Sequence, residues 1–124
     1  MHALVIDDSR ATRRIIKDML QQLGFHVREA GNGREGLERL TEAKLPDVVL
    51  VDWKMPEMDG LEFIKAVRAQ PEYADLPLMM VTTETEMERV ALAFLAGVNE
   101  FVMKPFDAET IELKLHLLGM ECLS

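Results

Sequence analysis

The chain has 124 residues, enough for one domain that buries its own core, and its 48% apolar content excludes a disordered chain. The formal net charge of -8 argues against binding a phosphate backbone, which needs a basic patch. A single cysteine, Cys122, excludes an internal disulfide, the first residues lack a charged-then-apolar signal pattern, and no apolar run approaches the roughly 18 residues of a membrane span. The expectation is a cytoplasmic single domain over 1–124, with no output domain attached and neither nucleic acid nor membrane among its partners.

Taken in order, the chain opens on an apolar run, Ala3-Leu4-Val5-Ile6, that ends in Asp7 and Asp8. Ser9 is placed to cap a helix over about 10–23, with Ile15, Ile16, Met19, Leu20 and Leu23 at helical spacing and Gly24 ending it. Residues 25–30, from Phe25 to Ala30, alternate as a strand near a sheet edge does. A turn at Gly31-Asn32-Gly33 leads to a second helix over about 34–43. Pro46 then separates it from Val48-Val49-Leu50-Val51, a run suited to a strand buried on both faces. That run stops at Asp52. Pro56 and Asp59-Gly60 place a loop after it, and a third helix runs to about Ala69. Leu78-Met79-Met80-Val81 is the fourth strand and ends in Thr82-Thr83-Glu84. A fourth helix is expected over about 86–96 and stops at Gly97. Glu100-Phe101-Val102-Met103 is a fifth strand ending in Lys104-Pro105, and a last helix covers about 108–118.

Five strand–helix units with short connections predict an α/β doubly wound parallel sheet with right-handed crossovers. The uniformly apolar runs belong at its centre and the alternating second strand at an edge. The flavodoxin-like (βα)5 order 2-1-3-4-5 satisfies both. Its switch point lies between the first and third strands, where ligands collect. There Asp7, Asp8 and Asp52 would converge. Carboxylates crowded together raise one another's pKa, and a hard divalent cation relieves this; Mg²⁺, or Mn²⁺, suits few carboxylates and commonly pairs with phosphate. The Thr82 hydroxyl and the Lys104 ammonium would come from the other strand ends. Such a set makes a phosphoryl-transfer site in which an aspartate is the nucleophile and metal and lysine neutralise the transferring oxygens. A cis Lys104-Pro105 bond would bend the loop and aim the lysine inward. Trp53 reads as core or loop aromatic, and His2, His26 and His116 as scattered structural residues.

Asp7-Asp8, Asp52, Met55-Pro56, Met58-Asp59-Gly60, Thr82, Ala96-Gly97 and Lys104-Pro105-Phe106 together resemble the receiver domain of two-component response regulators, over essentially the whole chain. Asp52 through Gly60, Met80-Val81-Thr82 and 102–106 are most similar to its single-domain, CheY-like branch of chemotaxis regulators. The resemblance implies that Asp52 accepts phosphate from a histidine kinase or phosphotransfer protein. It implies Mg²⁺ held by Asp8, Asp52 and the Lys54 backbone carbonyl, with Asp7 acting mostly through water. Thr82 and Lys104 would contact the phosphoryl oxygens, and Phe101 would be the switch aromatic. Phe101 stands where that branch has tyrosine, and Lys54 where it has asparagine. Lys54 and Glu84 occupy the two positions that guard the approach of hydrolytic water. Such a protein is not an enzyme toward other molecules; it catalyses only its own phosphorylation and dephosphorylation. Output would pass to a downstream target protein through the fourth helix, fifth strand and fifth helix: Met87, Val90, Leu92, Phe94 and Leu95 exceed the needs of one buried face of the fourth helix, and Phe94, Met103 and Leu117 would be odd if all were exposed. The alternative is a phosphorelay intermediate or phosphate sink without a motor target.

Three other readings are weaker. Gly31-Asn32-Gly33-Arg34-Glu35-Gly36 spells G-x-G-x-x-G, but after an edge strand and not at the switch point where a dinucleotide fingerprint belongs. A hydrolase of the aspartyl-phosphate class would carry Asp-x-Asp on the first strand, which Ile6-Asp7-Asp8-Ser9 does not match. A binding module that has lost phosphorylation would not keep the full set of acids, threonine and lysine.

Overall fold

The computed structural model describes residues 1–42 and 44–122, and for residues 84–86 the backbone alone. Five strands, β1 (His2–Ile6), β2 (His26–Ala30), β3 (Val48–Asp52), β4 (Leu78–Thr83) and β5 (Glu100–Lys104), form one parallel sheet in the order β2-β1-β3-β4-β5. The helices are α1 (Arg10–Gln22), α2 (Gly33–Glu42), α3 (Gly60–Arg68), α4 (Val90–Ala96) and α5 (Ala108–Leu117). The flavodoxin-like order expected from the apolar runs is the order found. β3 is buried along its whole length, whereas β2 has one buried residue of its five. Central and edge strands therefore read differently in sequence because water touches only the latter.

The strand period of two divides the core cleanly. Leu4, Ile6, Val49, Val51 and Met80 face one way, against Phe63, Ile64 and Val67 of α3 and Ala93 of α4. Ala3, Val5, Leu50, Met79, Val81 and Val102 face the other, against Ile16 and Leu20 of α1 and Ile111 and Leu115 of α5. Fully burying one such aliphatic side chain is worth about 1.5–3 kcal/mol. Two such layers fix the height of every strand relative to its neighbours. That register, with Ile6 beside Val51 and Asp52 beside Val81, brings the strand ends to one edge.

Local chemistry starts the helices where the site needs them. The Ser9 side chain accepts from Thr12 N–H and caps α1. Asp59 and Glu62 form a capping box on α3, and Asp107 caps α5 through Thr110 N–H. The fourth helix departs from expectation. Glu84–Arg89 is a 3-10 turn, and α-helix begins only at Val90. Among the described side chains of this stretch Val90 is the first to be buried after the strand, and Arg89 in the cap position supplies no side-chain cap. With no earlier anchor among the described side chains and no cap from Arg89, the chain stays in the tighter turn. The expected end of α2 at Ala43 lies outside the described residues. A second 3-10 turn, Pro71–Tyr73, lies in the connection between α3 and β4.

Gly60 is required by closeness. A Cβ built there would lie 2.5 Å from the Asp52 carbonyl oxygen and 3.0 Å from Trp53 Cα. Both neighbours are backbone, so neither can swing aside. Gly60→Ala should cost about 1–3 kcal/mol and displace the end of β3. A urea midpoint within error of wild type would contradict that account. Two glycines of the G-x-G-x-x-G string, Gly33 and Gly36, are likewise explained by close packing. A Cβ on Gly36 would meet the Ile6 side chain at 2.4 Å, and one on Gly33 would meet Met58 at 2.8 Å. They let α2 close onto β1 and the loop after β3; no phosphate is needed to explain them.

Candidate functional site at the carboxyl edge of the sheet

Asp7 and Asp8 come directly after β1, Asp52 ends β3, Thr82 and Thr83 end β4, and Lys104 ends β5. Because β1 and β3 are parallel neighbours, their terminal acids meet. One carboxylate oxygen from each of Asp7, Asp8 and Asp52 lies within 4.8 Å of the others. Asp7 and Asp52 are buried and Asp8 is exposed. The Lys104 ammonium is 3.3 Å from Asp7 Oδ2 and 3.3 Å from Asp52 Oδ1. The peptide bond between Lys104 and Pro105 is cis, as the sequence allowed.

Asp7 is held on every side. Its Oδ1 accepts from Ser9 N–H at 2.8 Å, its N–H donates to the Ala30 carbonyl at 3.1 Å, and its own carbonyl accepts from Arg13 Nη1 at 2.7 Å. Arg13 is in turn held by Glu29 at 3.3 Å. The sequence pattern did not single out Arg13. The signal available was its position one helical turn after Ser9, on the face of α1 that looks back at β1. Asp52 faces the opening, where Asp8, Lys54, Met55, Pro56, Thr83 and Lys104 line an open depression with it.

The electrostatics are set by this packing. Burial is the largest influence on Asp52 and pushes its carboxyl up; the charge of Asp7 adds to this, Lys104 opposes it, and Asp8 adds a little more. The result is a pKa of about 6, against an ordinary 3.8. Lys104 is lowered by its own burial, but its attraction to Asp52 and Asp7 and its hydrogen bonds to both outweigh this, and its pKa is raised. Three carboxylates against one ammonium leave an excess of two negative charges. That excess, the oxygen-only donor set and the open side at Asp8 fit a hard dication such as Mg²⁺.

The remaining expected residues take varied positions. Thr82 is buried, with its Oγ1 3.4 Å from the Thr83 carbonyl, and it is Thr83 that lines the depression. β4 extends through both threonines, with Thr82 opposite Met103 and Thr83 opposite Lys104, so the two side chains leave the strand on opposite faces. Lys54 is exposed at the rim. The Glu84 side chain lies outside the described residues. Phe101 is away from the acids, half-buried on the α3–α4 face, edge-on to Phe94 with ring centroids 6.2 Å apart. Trp53 is core, with the Arg89 guanidinium 5.3 Å above its ring. His2 and His26 are not scattered in space: they occupy paired positions of β1 and β2 with stacked rings 5.2 Å apart. Glu57, in the loop beside Asp52, has φ of 65° and Met58 N–H donates to the Pro56 carbonyl at 2.7 Å across it, a tight turn that a non-glycine residue seldom adopts. No described helix is long and apolar enough to cross a membrane.

The chain and its fold resemble known proteins. The family model described as "Response regulator receiver domain" matches residues 3–116. A "Chemotaxis protein CheY homolog" of Campylobacter jejuni is 47% identical over 116 residues, 93% of this chain and 89% of that one. "Chemotaxis protein CheY1" of Helicobacter pylori is 42% identical over 119 residues, 95% and 96% of the two chains. The solved structure of Vibrio cholerae chemotaxis protein CheY4 superposes with a TM-score of 0.87 at 38% identity, covering 94% of this chain and 97% of that one. With its sheet order, its acid cluster and its lysine all in place, the chain belongs to the response regulator receiver domain family of two-component signalling.

Proposed function

We propose that this receiver takes a phosphoryl group onto Asp52 from a histidine kinase or phosphotransfer protein and then changes its affinity for a downstream target. The observation that carries this reading is the Asp52 carboxylate at the open end of β3, flanked by Asp7, Asp8 and Lys104. An Asp52 oxygen attacks the donor's phosphorus in line, the donor's P–N bond breaks, and its imidazole leaves with the electron pair. Asp8, Asp52 and the Lys54 carbonyl would hold Mg²⁺, with Asp7 behind them through water; bound there, the dication neutralises the transferring oxygens. Lys104 neutralises a further oxygen, and Thr82 meets the phosphoryl group once β4 adjusts. Neither group changes its covalent bonds.

The output face is formed by α4, β5 and α5. Leu92 is 51% exposed, Phe94 44%, Leu95 85% and Leu117 63%. That much exposed aliphatic and aromatic surface on neighbouring elements supports a protein partner. The likeness to chemotaxis proteins favours a cytoplasmic motor-control role over a phosphate sink. The coupling is a population shift in which Thr82 moves toward the phosphate and Phe101 turns inward. With a small phosphodonor and Mg²⁺ present, amide shift changes should concentrate in residues 82–118. Changes confined to the loops after β1 and β3 would overturn the switching part of the proposal.

Lys54 sets phosphate lifetime in this reading. It stands at the rim where hydrolytic water enters, and with Glu84 it would crowd that approach. An exposed pair contributes only about 0–1 kcal/mol, so crowding of the water should matter more than pairing, and Lys54→Asn should speed aspartyl-phosphate decay. Decay no faster than wild type would remove Lys54 from this role, and acceleration confined to low salt would assign the effect to pairing and not to crowding.

A further inference from the structure

β5 is an edge of the sheet, so its outward N–H groups have no neighbouring strand. At Phe101 this edge is closed by a side chain. Glu100 Oε1 accepts from Phe101 N–H at 3.0 Å. The same oxygen is 3.1 Å from Lys114 Nζ, which comes from α5. That ammonium lies 4.6 Å from the centroid of the Phe101 ring. Phe101 belongs with the α3–α4 core layer and Val102 with the α1–α5 layer, so Lys114 reaches around the edge strand from one face of the sheet to the other. Both members of the ion pair are largely shielded, with side chains 21% and 17% exposed. The Phe101 ring in turn meets Phe94 of α4.

We propose that Lys114, anchored by Glu100, is a positioning residue that holds Phe101 against Phe94 and thereby stabilises the unphosphorylated arrangement of the α4–β5–α5 face. The inference rests on the receiver reading given above. It supplies what a hydroxyl cannot at this position: Phe101 has no polar side-chain atom, so its orientation is set by a cation over its face and by the carboxylate that fixes that cation. A shielded cation–π contact survives only while the ring stays beneath the ammonium. When Phe101 turns, the contact is lost, so the contact opposes activation. Its removal should favour the active arrangement and, by linkage, every ligand that binds that arrangement better.

The test uses the whole chain with beryllofluoride and Mg²⁺ as the phosphoryl mimic. Lys114→Met keeps the aliphatic stem and removes the charge; Glu100→Gln keeps the cation and loosens its anchor; Lys114→Arg restores a cation. Beryllofluoride affinity, read by Trp53 fluorescence, should rise about two- to fivefold in Lys114→Met, less in Glu100→Gln, and return toward wild type in Lys114→Arg. The aromatic proton shifts of Phe101 in the unliganded protein should move in the same order. A purely structural role would change the urea midpoint but leave beryllofluoride affinity alone. If wild type and Lys114→Met bind beryllofluoride equally and their Phe101 shifts coincide, the positioning role is wrong while the receiver reading stands. If wild type binds no beryllofluoride at all, both readings fall.

Discussion

Replacing Asp52 by asparagine should stabilise the cation-free protein by up to about 3 kcal/mol at about pH 7.5 and leave it nearly unchanged at about pH 3.5. The direction of the shift fixes the sign. Folding raises the Asp52 carboxyl from 3.8 to about 6, chiefly by burying it and then by facing it with Asp7. Between those values the folded chain binds more protons than the unfolded one. Stability is therefore fully present below the lower value and is lost as pH rises through the higher one. Asparagine keeps the shape and carries no charge, so it escapes the loss. Urea midpoints of the two proteins across that range would show a gap that opens with pH. Millimolar Mg²⁺ should narrow the gap from the wild-type side, since a dication relieves the same repulsion. Equal midpoints at about pH 7.5 would mean that the site bears no strain from its charge.

The second large effect concerns Lys104. Lys104→Met should slow phosphoryl uptake from a small donor by about 10²-fold or more, the usual consequence of losing one fixed group that meets developing charge. The same substitution should tighten Mg²⁺ binding, because the ammonium no longer competes with the cation for Asp7 and Asp52. It should also lift the Asp52 carboxyl beyond about 6, since Lys104 is the influence holding it down. Uptake kinetics, a metal titration and a carboxyl carbon titration would read the three. Slower uptake with weaker Mg²⁺ binding would instead point to a collapsed site.

Most of this architecture was legible in the sequence for a definite reason. Parallel strands covered on both faces, such as Val48–Asp52, must be apolar throughout, so an acid at the end of such a run marks the strand's exit from the core. The convergence of Asp7, Asp8, Asp52 and Lys104 could be deduced from such exits on one sheet. Features that stayed hidden depend on contacts with no local pattern. Arg13 is tied to the Asp7 carbonyl, and Lys114 reaches across an edge to Phe101; helical spacing puts Arg13 on the face toward β1 but does not name its partner, and it gives no sign of the Lys114 contact. The late start of α4 at Val90 was missed because the apolar residues of that stretch read as one helix, whereas Arg89 brings no cap and the 3-10 turn persists up to it. That Thr83 and not Thr82 lines the depression was equally hidden, because it follows from β4 pairing with β5 through both threonines, which places their side chains on opposite faces.

The measurement that bears most directly on the central claim is the intact mass of the protein after incubation with a small phosphodonor, with peptide mapping to locate any added group. The protein should gain one phosphoryl group, located on Asp52, not formed when Mg²⁺ is chelated beforehand and absent from Asp52→Asn. Phosphorylation that persists in Asp52→Asn, or that proceeds without a divalent cation, would contradict that claim.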